Sequence, residues 1–463
     1  VETQGWWSAI REAIVGTERD FTEGSISRAI TLLSIPMVLE MAMESLFGIV
    51  DIFWVARLGA DAMATVGLTE SLLTIVFALA IGLSMATTAI VARRTGEKDT
   101  NGASRTAAQA IYLGLAIAAV LGAAGFLLAP RLLTIMGATP SIVATGSGFT
   151  RTILGGSVTV LLLFLINAVF RGAGDAAIAM RVLWIANAVN IVLNPLLIFG
   201  IGPFPEMGVT GSAVGTTIGR GIGVVYQLWI LTQHSHRIRV EARHWALDLS
   251  VMKRLIQLSV GTIFQYLIGV ASWIALIRIN AIFGATAIAG YTLAIRMIVF
   301  AILPSWGMSN AGATLVGQNL GAGKPDRAEK SVYLAGLYNM VFLGAVAVVF
   351  IVFAPHLIAL FTSDSQVALF AIDCLRLVSA GYIFYAWGMV LTQAFNGAGD
   401  TVTPSIINFL CLWVLQLPLA WFLAFPAGFG TRGVFASIAI AESALALFGF
   451  VAFRRGNWKL KKV

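Results

Sequence analysis

Three carboxylic acids, Glu40, Glu44 and Asp51, fall within one apolar stretch near the start of the chain. Successive helical residues turn by about 100°, which sets Glu44 roughly 40° and Asp51 roughly 20° from Glu40. The three therefore share a face, with Leu39, Leu46, Ile49 and Phe53 mostly elsewhere. Glu70 adds a fourth acid in the next apolar stretch. A carboxyl desolvated among apolar side chains favours its protonated form. Such a group takes up a proton on one side of a barrier and releases it on the other, or holds Na⁺ where neutral oxygens converge. Asn187, Asn190 and Asn194 offer such oxygens, Thr216 adds a hydroxyl, and Pro195 frees backbone carbonyls nearby. Asn190 and Asn194, four apart, share a helical face. The plainer alternative pairs Glu40 or Glu70 with an arginine and makes the amides glue between helices. Asp51 fits that alternative least, its only sequence-local base being Arg57.

The elements that must position these residues are too apolar for water. Of 463 residues, 58% are hydrophobic and 11% charged, and mean hydropathy is +0.88, whereas a soluble domain is about 25% charged. Stretches of the roughly 20 residues needed to cross a bilayer core recur at 26–56, 62–92, 106–129, 141–170, 176–201, 209–233, 252–282, 286–318, 330–354, 366–395, 402–425 and 432–453. The expected fold is all-α and integral to the membrane, with twelve transmembrane helices. Residues 3–20, with Trp6, Trp7, Ile10 and Ile14 among charges, read as a helix lying in the interface plane. The first apolar stretch reads as a span and not a removable leader, and Val1 in first place implies a missing initiator.

A net charge of +8 would suit nucleic acid, but its distribution points elsewhere. With the N-terminus in the cytoplasm, 22 of the 30 Lys and Arg fall on the cytoplasmic side. Arg57, Arg131, Arg151 and Arg432 lie at the opposite ends, and Arg220, Arg278, Arg296 and Arg376 fall inside spans. This is the positive-inside asymmetry. It predicts a multi-pass protein of the cell (inner or plasma) membrane with both termini cytoplasmic and no nucleic-acid partner.

Shifted by 225 positions, the sequence matches itself. Leu33-Ser34 falls on Leu258-Ser259, Gly59-Ala60 on Gly284-Ala285, Gly96 on Gly321, and F-R-G-A-G-D at 170–175 on F-N-G-A-G-D at 395–400. Gly208-Val209 falls on Gly433-Val434, so the offset is expected to hold without a gap. The domain reading is an interfacial segment 1–24, an N-lobe 25–233, a cytoplasmic linker 234–251, a C-lobe 252–455 and a basic tail 456–463. Six spans return the chain to its starting side, so the lobes are parallel repeats about an axis along the membrane normal. Asp175 and Asp400 are expected to N-cap spans 5 and 11, with the glycines turning at positive φ. The acids are not duplicated: Gln265 falls on Glu40, Gly269 on Glu44 and Leu276 on Asp51. Ion coupling is thus expected in the N-lobe, with the C-lobe completing a substrate cleft.

L-S-I-P-M at 33–37, V-D-I-F-W-V at 50–55, G-A-D-A-M-A at 59–64, A-R-R-T-G at 92–96, F-R-G-A-G-D and N-I-V-L-N-P at 190–195 resemble the multidrug and toxic compound extrusion (MATE) family, its prokaryotic DinF-type branch most. The resemblance covers 25–455 and implies a twelve-helix exporter of cationic or amphipathic compounds driven by inward H⁺ or Na⁺. By motif it carries the coupling role to Asp51, Asn190, position 194 and Thr216. Asn194 departs from the family's usual Asp, which weakens a two-carboxylate Na⁺ site and favours H⁺.

The cleft lining is expected to include Glu40, Glu44, Glu70, Met37, Met41 and Phe47 from the first lobe, the methionines repacking around varied shapes. Gln265, Trp273, Tyr291 and Tyr385 would come from the second, the aromatic rings stacking on cations. Simple packing is the competing explanation for each. A lipid-linked oligosaccharide flippase of the same superfamily is the alternative function, favoured by arginines within spans and opposed by the acids of span 1. Four histidines without ligand spacing and two cysteines in apolar runs give no metal cluster, cofactor or paired nucleophile and base, so an enzyme is not expected. A monomer is.

Overall fold

The computed structural model describes residues 6–16, 19–233 and 237–463. A short α1, Trp6–Val15, rests against α7 and exposes Trp7 and Ile14. The first six spans are α2 Ile26–Val55, α3 Ala60–Gly96, α4 Thr100–Ile135, the pair α5 Pro140–Gly155 and α6 Ser157–Ala173, α7 Ala176–Phe199, and α8 Val209–Thr232. The second six are α9 Leu249–Ala281, α10 Ala285–Gly321, α11 Pro325–Ala359, the pair α12 Ser365–Ser379 and α13 Tyr382–Gly397, a continuous run of α14 Val402–Phe409, a π-helical stretch Leu410–Gln416 and α15 Leu417–Ala424, and α16 Thr431–Arg454. Ten of these are apolar and long enough to cross a bilayer, and α12 with α13, bent by 58°, makes an eleventh. The twelfth, α8, has 24 residues, which at 1.5 Å each span about 36 Å. Its many glycines and threonines and Arg220 lower its hydropathy, not its reach. Outward faces carry Val120, Leu127, Val192, Val225, Val341 and Val348 exposed, the surface a lipid-facing helix needs.

Duplication is visible in the backbone. Gly59 and Gly284 open α3 and α10 at φ 99° and 98°, and α3 and α10 end on Gly96 and Gly321. The fourth and tenth spans break at Gly156 and Gly381, again 225 apart. The glycine-rich motif has a packing cause. A Cβ on Gly172 would lie 2.9 Å from the Thr88 carbonyl oxygen, and one on Gly397 would lie 2.3 Å from that of Ala313, the same contact in each copy. Gly174 and Gly399 turn at φ +92° and +84°. Asp175 holds the N-cap position of α7 without a side-chain cap bond, facing Arg237 instead at 3.9 Å. Asp400 accepts from the Thr403 amide and hydroxyl and pairs with Lys461. The single offset fails at the last helix. Gly208 and Gly430 cap α8 and α16 with matching φ/ψ of 54°/−138° and 59°/−139°, a step of 222, because the connection 425–430 is shorter than 200–208.

Two compact units emerge, one of 1–19 and 39–259, the other of 20–38 and 260–463. They differ from the contiguous halves in that α2 and α9 are each divided. One cause is Gly307, whose missing side chain brings α10 against the Met37 carbonyl, 2.5 Å from where a Cβ would stand. The first unit's core includes Val91, Ile111, Leu163, Phe170 and Val182. The second is built on Leu276, Tyr291, Leu343, Leu375 and Phe435. The basic tail is folded back: Trp458 is buried on Phe453, and Lys459 pairs with Glu329.

The described part of the linker docks on the first unit. Ile238 and Val240 enter its core, Gln109 donates to the Ala246 carbonyl at 2.9 Å, and Tyr112 donates to that of Trp245 at 3.0 Å. His244 is buried; its Nδ1 accepts from the Glu241 amide at 3.0 Å and its Nε2 faces Asn101 Oδ1 at 3.3 Å. Nδ1 must therefore be unprotonated. Burial, with the Arg243 guanidinium second, holds this imidazole below its ordinary value. Its contribution to docking is accordingly full above the unfolded value of about 6.5 and is lost as pH falls through it toward the depressed folded value. The protection factor of the Glu241 amide, its exchange rate corrected for the intrinsic pH dependence of amide exchange, should fall on acidification in the wild type and stay constant in His244→Asn. A wild-type protection factor that does not change with pH would refute this.

Candidate functional site

The acids of α2 meet three different fates within the first unit. Glu40 is buried and pairs with Arg171 of α6, Nη1 to Oε1 at 2.6 Å, while Asn167 donates to the same oxygen at 3.0 Å. Gln227 of α8 donates to Asn167 Oδ1 at 2.6 Å, closing a network across three helices. One turn on, Glu44 pairs with Arg220 of α8 at 3.0 Å. The Arg220 guanidinium also lies 5.0 Å from the ring centroid of buried Phe47. Two turns further, no cation among the described residues is bonded to Asp51. Neutral donors converge on it: Asn194 Nδ2 at 2.6 Å, Thr216 Oγ1 at 2.9 Å to the other oxygen, and Asn190 Nδ2 at 3.2 Å. Arg220, four residues past Thr216, acts on Asp51 only through space.

Helical spacing explains the cluster. Asn190 and Asn194 are one turn apart on α7, and Asn190 Nδ2 also reaches Thr216 Oγ1 at 2.9 Å. A Cβ on Gly215 would stand 2.3 Å from Asn194 Oδ1, and one on Gly219 would stand 2.7 Å from the Ala186 carbonyl. The glycines of α8 thus let it lie close enough on α7 to bring Thr216 to the carboxylate. Both asparagines are buried and Asp51 is half-buried. Asn190 Oδ1 is buried without a hydrogen-bond partner.

Four of the five expected coupling residues, Asp51, Asn190, Asn194 and Thr216, are therefore in one place. Asn187 is not: its amide donates to the Met43 and Leu183 carbonyls, both at 3.0 Å, tying α7 to α2. Several expected cleft residues lie inside the lobes. Glu40 is consumed by its ion pair; Met37 and Phe47 are buried; Tyr291 is core, stacked on Phe435 at 6.0 Å. Gln265 is buried and bonded to Asn396 and the Thr401 carbonyl, each at 3.1 Å. It occupies the place of Glu40, and Asn396 that of Arg171, so the second unit keeps the contact and discards its charge. Met41, Glu44, Trp273 and Tyr385 are half-buried and Glu70 is exposed. Of the arginines within spans, Arg220 is internal, whereas Arg278, Arg296 and Arg376 are exposed. Glu442 on α16 escaped the sequence reading altogether. Among the described residues no group of three or more His, Cys, Asp or Glu stands close enough to hold a metal.

Known proteins share this architecture. The MatE family profile matches residues 36–196 and 258–422, one stretch in each repeat. A probable multidrug resistance protein, NorM, of Thermotoga maritima is 26% identical over 448 residues, covering 95% of this chain and 94% of that protein. The outward-facing structure of a multidrug resistance MATE transporter of the MOP superfamily superposes with a TM-score of 0.89 at 25% identity, over 96% of this chain and 100% of that one. A MOP superfamily transporter from Pyrococcus furiosus, described as having a binding pocket of reverse polarity that suggests a different function, gives a TM-score of 0.89 at 26% identity, over 97% of this chain and 100% of the other. With the family's profile matched in both halves and twelve membrane helices in its arrangement, the chain belongs to the MatE family of membrane transporters.

Proposed function

We propose that this transporter exports cationic or amphipathic organic compounds across the cell membrane in exchange for inward H⁺, as a monomer with both termini in the cytoplasm, and that Asp51 carries the proton. One observation bears most of the weight. Of the three acids on the shared face of α2, two have resident arginines, and among the described residues Asp51 is hydrogen-bonded by neutral partners alone. A carboxyl held in a place of low polarity without a fixed counter-ion must acquire one or take a proton. In this arrangement the side chains pointing at it donate, which suits a carboxylate that alternates with its acid; to hold Na⁺ the same asparagines and threonine would have to turn their oxygens toward it. Asn190 Oδ1, left without a partner, is the feature that supports Na⁺ as the alternative ion. The parallel repeat supports alternating access by rocking of two like bundles.

The charge of the cargo has a competing reading. Arg278 and Arg296 are exposed in the second unit and form no ion pair among the described residues. They favour an anionic cargo, such as the pyrophosphate of a lipid-linked oligosaccharide, and a related structure described as reverse in polarity keeps that reading in play. Vesicles containing the protein decide both points. In Na⁺-free buffer, ethidium efflux should run on a pH gradient and stop when the gradient is dissipated. Efflux that persists only with Na⁺ would replace the ion, and failure to move any organic cation would favour the flippase.

A further inference from the structure

Glu442 is an acid within a span that the coupling scheme leaves unused. It lies halfway along α16 and is half-buried. Among the described residues no hydrogen bond or ion pair reaches its carboxyl. Its titratable neighbours are Tyr385 of α13 and Cys411 of the π-helical stretch, neither of which supplies positive charge. An acid at mid-depth of a membrane helix is expensive unless it has a task or a partner.

The repeat identifies what is missing. The matching caps at Gly208 and Gly430 align α8 with α16 at a step of 222, and the close packing of Gly211 and Gly433 on the ends of the preceding helices agrees. Arg220 therefore corresponds to Glu442. The Glu40–Arg171 and Gln265–Asn396 contacts align α2 with α9 at 225, so Glu44 corresponds to Gly269. In the first unit this pair of positions is an ion pair at 3.0 Å. In the second, one member has become an acid and the other has lost its side chain, with nothing within 4 Å of where a Cβ on Gly269 would be. By this correspondence, a carboxyl without a hydrogen-bond or ion-pair partner among the described residues is the counterpart of a side chain that, in the other copy, reaches the position of Gly269.

We infer that Glu442 receives the positively charged head of the cargo, an ammonium or phosphonium group seated beside Gly269. Tyr385 places an aromatic ring in the same neighbourhood, the usual companion of an organic cation. This rests on the cation-export reading and adds its recognition site: Asp51 handles the proton in one unit, and Glu442 the cargo charge in the other.

Binding of tetraphenylphosphonium to the purified full chain tests it. Glu442→Gln should weaken binding by roughly tenfold or more, the scale of one lost charged contact, and Glu442→Asp should restore part of it. Gly269→Lys, which supplies a resident cation and leaves the carboxyl in place, should weaken binding comparably and serves if Glu442→Gln does not fold. Wild-type affinity in a folded Glu442→Gln protein overturns the inference and leaves cation export standing. A wild-type protein that binds no tetraphenylphosphonium brings down both.

Discussion

Asp51→Asn is expected to reduce organic-cation export to the level of membranes without the protein, while the variant inserts and folds as the wild type does. Asn has the size of Asp and can join the same hydrogen bonds, because Asn190 and Asn194 can each present oxygen or nitrogen. The structural loss should be no more than about 1–2 kcal/mol. What disappears is the ability to exist in charged and uncharged forms, and with it the exchange of H⁺ for cargo. Thermal unfolding in detergent checks the fold and drug resistance of expressing cells checks export. Export at wild-type levels would remove Asp51 from the mechanism.

The second large effect concerns Glu40 and Arg171, where the chain holds its own control experiment. Removing one partner of a buried ion pair leaves an uncompensated charge and costs about 3–5 kcal/mol, whereas a well-packed neutral replacement of both is often harmless. Arg171→Asn alone should therefore destabilise the first unit severely. Glu40→Gln combined with Arg171→Asn reproduces the Gln265–Asn396 contact that the second unit already uses, and should recover most of the loss. A double-mutant cycle on unfolding would show strong coupling between the two sites. Single variants as stable as the wild type would mean that Glu40 is not held as an anion. The double variant should also export normally, since the pair is structural and Asp51 is untouched.

Much of the site was legible because helical periodicity is strict. The common face of Glu40, Glu44 and Asp51, and the pairing of Asn190 with Asn194, need only a turn of about 100° per residue. The partners were not legible, because Arg171 and Arg220 lie 131 and 176 residues from the acids they neutralise. Spacing along a chain says nothing about that. The repeat did contain the signal for one of them: Glu40 and Arg171 change together to Gln265 and Asn396, a charge pair replaced by an amide pair. Glu442 was hidden by the assumption of one offset. The shorter connection before α16 moves the register by three, and the aligned partner of Arg220 is lost without that correction. The π-helical stretch left no mark in the apolar pattern. The breaks at Gly156 and Gly381 did, as glycines 225 apart within otherwise continuous spans.

The central claim is that the Asp51 carboxyl exchanges its proton for cargo. It is tested most directly by counting protons in Na⁺-free proteoliposomes loaded with a pH-sensitive dye, as an organic cation is added on one side. Wild-type protein should move protons opposite to the cation, and Asp51→Asn should move none. Proton movement at the wild-type rate in Asp51→Asn would contradict the account.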